Sequence, residues 1–102
     1  MNTKIDNHNI GKGEKCFIIA ELSANHNGSI TNAIETIKAA KRSGADAVKL
    51  QTYTADTLTI NCSKQDFTDV LKGTIWEGST LYDLYKKAYT PWEWHEELFK
   101  VA

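Results

Sequence analysis

Phe17-Ile18-Ile19-Ala20-Glu21-Leu22 and Ala47-Val48-Lys49-Leu50-Gln51 are short apolar runs that each carry polar side chains toward their ends. Apolar runs of this length read as strands buried on both faces, as in parallel sheets covered by helices. The residues between them supply a turn and one helix. Asn25-His26-Asn27-Gly28 is a turn-forming cluster. Ser29 is placed to cap a helix in which Ile30, Ala33, Ile34, Ile37 and Ala40 recur at helical spacing, with Lys38, Lys41 and Arg42 turned outward. Gly44 follows the last basic residues as a helix stop. Strand, helix, strand within about 40 residues predicts a βαβ unit, with a right-handed crossover and parallel pairing.

Outside this unit the pattern is looser. The strands are expected over residues 16–22 and 46–53. Residues 1–15 are polar, with Gly11 and Gly13, and read as a loosely docked lead-in. Residues 54–78 read as a long loop, given partial order by Phe67 and Trp76. Leu81, Leu84, Tyr85 and Ala88 then share a helical face. Thr90-Pro91-Trp92-Glu93 has the form of an N-cap, a first-turn proline and a capping-box acid, which predicts a further helix through Trp94, Leu98 and Val101. Two parallel strands cannot cover both faces and both edges of a sheet. The expected fold class is therefore α/β, a partial TIM (β/α) barrel comprising the first two strands and their helices, from a fold that takes about 250 residues.

Composition narrows the function. The 102 residues make one domain at most, with a net charge of -1 and lysines scattered among acids, so nothing marks a nucleic-acid or anionic-lipid surface. No stretch approaches the roughly 20 apolar residues of a membrane helix. The polar N-terminus does not resemble a secretory signal, and Cys16 and Cys62 form neither a metal knuckle nor a disulfide framework. Two free thiols suit a reducing, cytoplasmic setting. Cys16, beside the first apolar run, reads as a small core residue.

Strand alternation decides which side chains meet. Phe17, Ile19 and Glu21 share one side of the first strand, and Ala47, Lys49, Gln51 and Tyr53 one side of the second. In parallel α/β folds such groups at the carboxyl ends of strands line the site. A buried ammonium at Lys49 needs an anionic partner, which is either Glu21 or a phosphate or carboxylate on a ligand. The turn Asn25-Gly28 leads into a helix N-terminus, where backbone N–H groups favour anions or sugar oxygens. Together these groups suit a polar, oxygen-rich, partly anionic ligand. The plainer readings are a structural Glu21–Lys49 ion pair, His26 as a loop hydrogen-bonder rather than a metal ligand, and a solvent-facing His95. Trp92, Trp94, Tyr82, Tyr85 and Phe99 read as packing residues. Gly11 and Gly13 precede the strand rather than follow it, which excludes a dinucleotide fingerprint.

The stretches Ala20-Glu21-Leu22-Ser23-Ala24-Asn25-His26-Asn27-Gly28 and Gly44-Ala45-Asp46-Ala47-Val48-Lys49-Leu50-Gln51-Thr52-Tyr53 resemble the opening of the sialic acid synthase family. These are phosphoenolpyruvate-dependent synthases of nine-carbon nonulosonic acids. Leu22-Ser23, the run from Tyr53 to Thr59, Tyr82-Asp83-Leu84-Tyr85 and the run from Ala88 to His95 are most similar to its pseudaminic acid branch. The resemblance covers the chain from about Phe17 to Ala102. It implies a TIM barrel followed by a small domain similar to type III antifreeze proteins, in a homodimer. It also implies condensation of phosphoenolpyruvate with an open-chain amino-sugar acceptor in the presence of a divalent metal, often Mn2+. In the pseudaminic branch the acceptor is 2,4-diacetamido-2,4,6-trideoxy-L-altrose, giving pseudaminic acid and phosphate.

On the matching positions, Glu21 and Lys49 become the catalytic pair. Glu21 is the carboxylate near the reacting end of the sugar, and Lys49 the lysine that binds phosphoenolpyruvate. Gln51 holds the sugar, and Asn25, His26 and Asn27 shape its site. The metal ligands are expected outside these residues. The implied organisation is a polar lead-in over 1–15 and, over 16–102, the N-terminal portion of a (β/α)8 barrel synthase domain, a fragment inactive alone. The other readings are an N-acetylneuraminate or legionaminate synthase fragment and a non-catalytic sugar-binding α/β module.

Overall fold

The computed structural model describes residues 3–102. Its centre is the parallel pair of β3 (Ile19–Ser23) and β4 (Ala47–Leu50), joined by helix α1 (Ile30–Arg42). Ser29 caps α1, its hydroxyl accepting from the Asn32 N–H at 3.3 Å. Gly44 ends the turn after α1 at φ +88, a left-handed conformation that glycine adopts without strain. The Ile18 N–H donates to Asp46 Oδ2 at 2.9 Å, and the Asp46 N–H donates back to the Ile18 carbonyl at 2.8 Å. This exchange fixes the register at the foot of the pair, and the Ile18 N–H holds the Asp46 carboxyl below its ordinary pKa.

Two earlier strands, β1 (Thr3–Ile5) and β2 (His8–Ile10), form an antiparallel hairpin, with Ile5 opposite His8. The sequence predicts a loosely docked lead-in over 1–15, of which 1–2 lie outside the described residues; strands this short and exposed carry no hydrophobic signature. His8 lies against Phe17, ring centroids 5.2 Å apart. Cys16, expected in the core, is exposed.

After β4 come α2 (Ala55–Leu58), two short 3-10 turns over Gln65–Phe67 and Asp69–Leu71, α3 (Leu81–Lys87), a third 3-10 turn over Trp92–Trp94, and α4 (His95–Val101). The expected long loop is thus broken into single turns, pinned by Ala55 and Leu71, which are buried.

The core is Leu22, Ala33, Ile37 and Leu98, with Ile30, Ile34, Val48, Leu50, Trp94 and Val101 packed around it. Helices α1 and α4 therefore cover one face of the sheet. The other face is bare: Ile19 is exposed, as are Glu21 and Lys49. Among the described residues β4 pairs only with β3, so its second edge is open. Beside that edge runs a groove of about 580 Å³, lined in part by Ile19, Lys49, Thr52, His95 and Phe99. The radius of gyration is 17.1 Å, against about 13 Å for a compact domain of this length. No helix among the described residues is long and apolar enough to cross a membrane.

Candidate functional site

Glu21 and Lys49 are direct partners in the parallel ladder. Period-two alternation puts both on the bare face. Lys49 Nζ donates to Glu21 Oε1 at 3.0 Å, with the two side chains 55% and 59% exposed for Lys49 and Glu21. The charges are paired but wet, so each is open to a ligand. An anion arriving here meets an ammonium held by a strand, and the carboxylate next to it can accept or return a proton.

Just beyond this pair the ladder changes register. Glu21 faces Lys49, but Ser23 faces Leu50, which marks a bulge. Ser23 takes a left-handed φ of 57, uncommon for a residue with a side chain. The bulge ends β3 and sends the chain into Asn25-Gly28. Asn27 at φ 51 and Gly28 at φ 68 complete the turn into α1, in residue types that tolerate the left-handed region. Asn25, Asn27 and Gln51 are all exposed, with side chains available to a ligand.

His26 is different. Expected among the substrate-binding residues, it is 1% exposed and has both ring nitrogens engaged. The Gly28 N–H donates to Nδ1 at 3.1 Å, and Nε2 meets Thr90 Oγ1 at 3.3 Å. Its ring packs on the edge of Trp94, centroids 4.9 Å apart. Burial lowers its pKa, with the Tyr89 backbone acting the other way. His26 thus shapes the loop from inside and offers no free nitrogen to a substrate.

Three more readings change. Thr90 does not cap a helix: it is fully buried, its N–H donating to the Gln51 carbonyl at 2.8 Å and its hydroxyl to the Ser23 carbonyl at 3.1 Å. Pro91 occupies the cap position of the following 3-10 turn instead. His95 is half-buried rather than solvent-facing; its Nε2 meets Thr52 Oγ1 at 2.7 Å, and Nδ1 faces the Pro91 and Trp92 carbonyls, both at 3.1 Å. Of the aromatic residues expected to pack, Trp92 and Phe99 are each 70% exposed, whereas Tyr85 meets Tyr53 edge-on at 5.6 Å. Thr90 is the residue that sequence reasoning missed. Its partners lie 64 and 67 residues away, beyond any local pattern.

Among the described residues no group of three or more His, Cys, Asp or Glu side chains converges as a metal site. Lys49 sits against the one carboxylate of the strand pair, so these groups do not fit a divalent cation.

A sequence profile described as the NeuB family matches residues 36–102. The chain belongs to the NeuB family. It is 54% identical over 94 residues to a pseudaminic acid synthase of Campylobacter jejuni, covering 92% of this chain and 27% of that protein. It is 44% identical over 92 residues to an N,N'-diacetyllegionaminic acid synthase of Legionella pneumophila, covering 90% of this chain and 25% of that one. In structure it is similar to the spore coat polysaccharide biosynthesis protein SpsE of Bacillus subtilis, with a TM-score of 0.65 and 31% identity over 99% of this chain and 24% of the other. This NeuB-family chain therefore spans about a quarter of the length of the proteins it matches. The match includes Lys49, Gln51 and Thr90, while Glu21 lies before it.

Proposed function

We propose that this chain is the opening portion of a phosphoenolpyruvate-dependent nonulosonate synthase of the pseudaminic acid branch. The observation that carries the proposal is the Glu21–Lys49 pair, joined at 3.0 Å on the open face of a parallel sheet. The open β4 edge, the bare face and the groove beside them are surfaces on which the further strands of a (β/α) barrel would close.

In this reading Lys49 neutralises the phosphate or carboxylate of phosphoenolpyruvate. Carbon 3 of phosphoenolpyruvate forms a bond to the aldehyde carbon of the acceptor. Water adds at carbon 2, and phosphate leaves with its bridging oxygen as that C–O bond breaks. Glu21 orients the aldehyde end or carries a proton to the new hydroxyl. Gln51, Asn25 and Asn27 hold the sugar. A divalent metal, with ligands outside these residues, would supply Lewis-acid polarisation of the aldehyde.

The pseudaminic assignment follows the higher identity to the Campylobacter protein; the Legionella relative makes a legionaminate synthase the second reading. Grafting the chain over the matching quarter of each relative separates them. Phosphate release, with each host given its own acceptor, is expected to survive in the Campylobacter host and fall in the Legionella host. The reverse order would favour the second reading, and loss in both would overturn the synthase assignment.

A further inference from the structure

Thr90 touches three segments of the site at once. Its N–H donates to the Gln51 carbonyl at 2.8 Å, its hydroxyl donates to the Ser23 carbonyl at 3.1 Å, and its Oγ1 lies 3.3 Å from His26 Nε2. These bonds also fix the His26 tautomer. The Gly28 N–H occupies Nδ1, so Nδ1 carries no hydrogen. The Thr90 hydroxyl gives its only hydrogen to Ser23, so Nε2–H must be the donor toward Thr90. The result is one directed chain: Gly28 N–H to His26, His26 N–H to Thr90, Thr90 O–H to the Ser23 carbonyl. That same carbonyl also accepts the Gln51 N–H at 3.0 Å, so Ser23 and Thr90 together bind both strand ends.

We propose that Thr90 is a positioning residue: it holds the strained Ser23 bulge, the Asn25–Asn27 turn and Gln51 in one fixed arrangement. The sugar-binding consequence rests on the synthase reading above; the hydrogen-bonded chain does not. The three segments it joins carry the groups assigned to the acceptor. Lys49 lies inside the β3–β4 ladder and needs no such tie. Loss of the hydroxyl should therefore disturb acceptor binding more than phosphoenolpyruvate binding. Threonine suits the place because its methyl fills a fully buried position while its hydroxyl both gives and takes a hydrogen bond.

Thr90→Val keeps the shape and removes the hydroxyl, so the His26 Nε2–H loses the Thr90 oxygen and the Ser23 carbonyl loses a donor; Thr90→Ser restores both. In the Campylobacter graft, Thr90→Val is expected to raise the KM for the acceptor about tenfold, the scale of one or two lost buried hydrogen bonds. The KM for phosphoenolpyruvate should stay within about twofold, and Thr90→Ser should recover most of the loss. In the same graft, ring nitrogen NMR should show His26 protonated at Nε2 and accepting at Nδ1, with the Nε2 signal moved by Thr90→Val and returned by Thr90→Ser. Equal acceptor KM values in the Val variant and the parent, or a His26 ring indifferent to the Val change, would overturn the proposal. A graft inactive even with Thr90 would count against the synthase reading alone, since the NMR result decides the clamp by itself.

Discussion

Lys49 Nζ stands 3.0 Å from Glu21 Oε1, across two residues that are direct partners in a parallel ladder. Each side chain is more than half exposed, so the contact is made in a high-dielectric setting where ion pairs contribute about 0–1 kcal/mol. A pair worth so little to the fold is poorly explained as a structural strut. Glu21→Gln should accordingly shift the unfolding free energy, measured by urea titration, by no more than about 1 kcal/mol. A loss above about 2 kcal/mol would mark the pair as structural, since that exceeds what exposed pairs supply.

The core contrast is sharper. Leu98 is fully buried between α1 and the sheet, whereas its neighbour Phe99 is 70% exposed. Leu98→Ala should cost about 2–5 kcal/mol, by lost burial and the cavity left behind. Phe99→Ala should stay within about 0.5 kcal/mol, as a surface change. The two urea midpoints check both; similar losses would show that Phe99 is covered in solution.

His26 gives the chain a pH signature. Burial depresses its pKa from the ordinary 6.5, so folding favours the uncharged ring. The unfolded chain then binds the proton more readily as pH falls below 6.5, and stability drops with it. Above that pH the contribution is complete. Stability measured from about pH 7.5 down to about 5 should decline more steeply in the parent chain than in His26→Asn, the slope of each curve reporting the difference in bound protons. Parallel curves would show that His26 does not titrate differently in the two states.

Gly44, at φ +88, has nothing within 4 Å of where a Cβ would stand. Gly44→Ala therefore tests backbone conformation without a clash. It should cost about 1–2 kcal/mol, the penalty for a side-chain-bearing residue in the left-handed region. No change in the urea midpoint would show that the turn after α1 relaxes to another conformation.

The βαβ unit was readable because its determinants are local. Ser29, the spacing of Ile30, Ala33 and Ile37, and Gly44 each act within a few residues, and period two alone puts Glu21 and Lys49 on one side. What escaped depends on distant partners. Thr90 before Pro91 looks like a helix cap, yet its hydroxyl is claimed by Ser23 and His26 across more than sixty residues. His95 sits among acids like a surface residue, but Thr52 draws it inward. The Ser23 bulge comes from a register shift that no residue type announces. The β1–β2 hairpin is polar and exposed, so no buried face marks it.

In the proposed reaction Lys49 meets the anionic donor at this sheet face. The most direct test is the rate of phosphate release from phosphoenolpyruvate by the Campylobacter graft carrying Lys49→Ala. That rate should fall about 100-fold or more, the scale for removing a group aimed at developing charge, with the thermal midpoint nearly unchanged. A rate within about twofold of the parent graft would contradict it, because a loss that small leaves Lys49 no charge-stabilising part in the reaction.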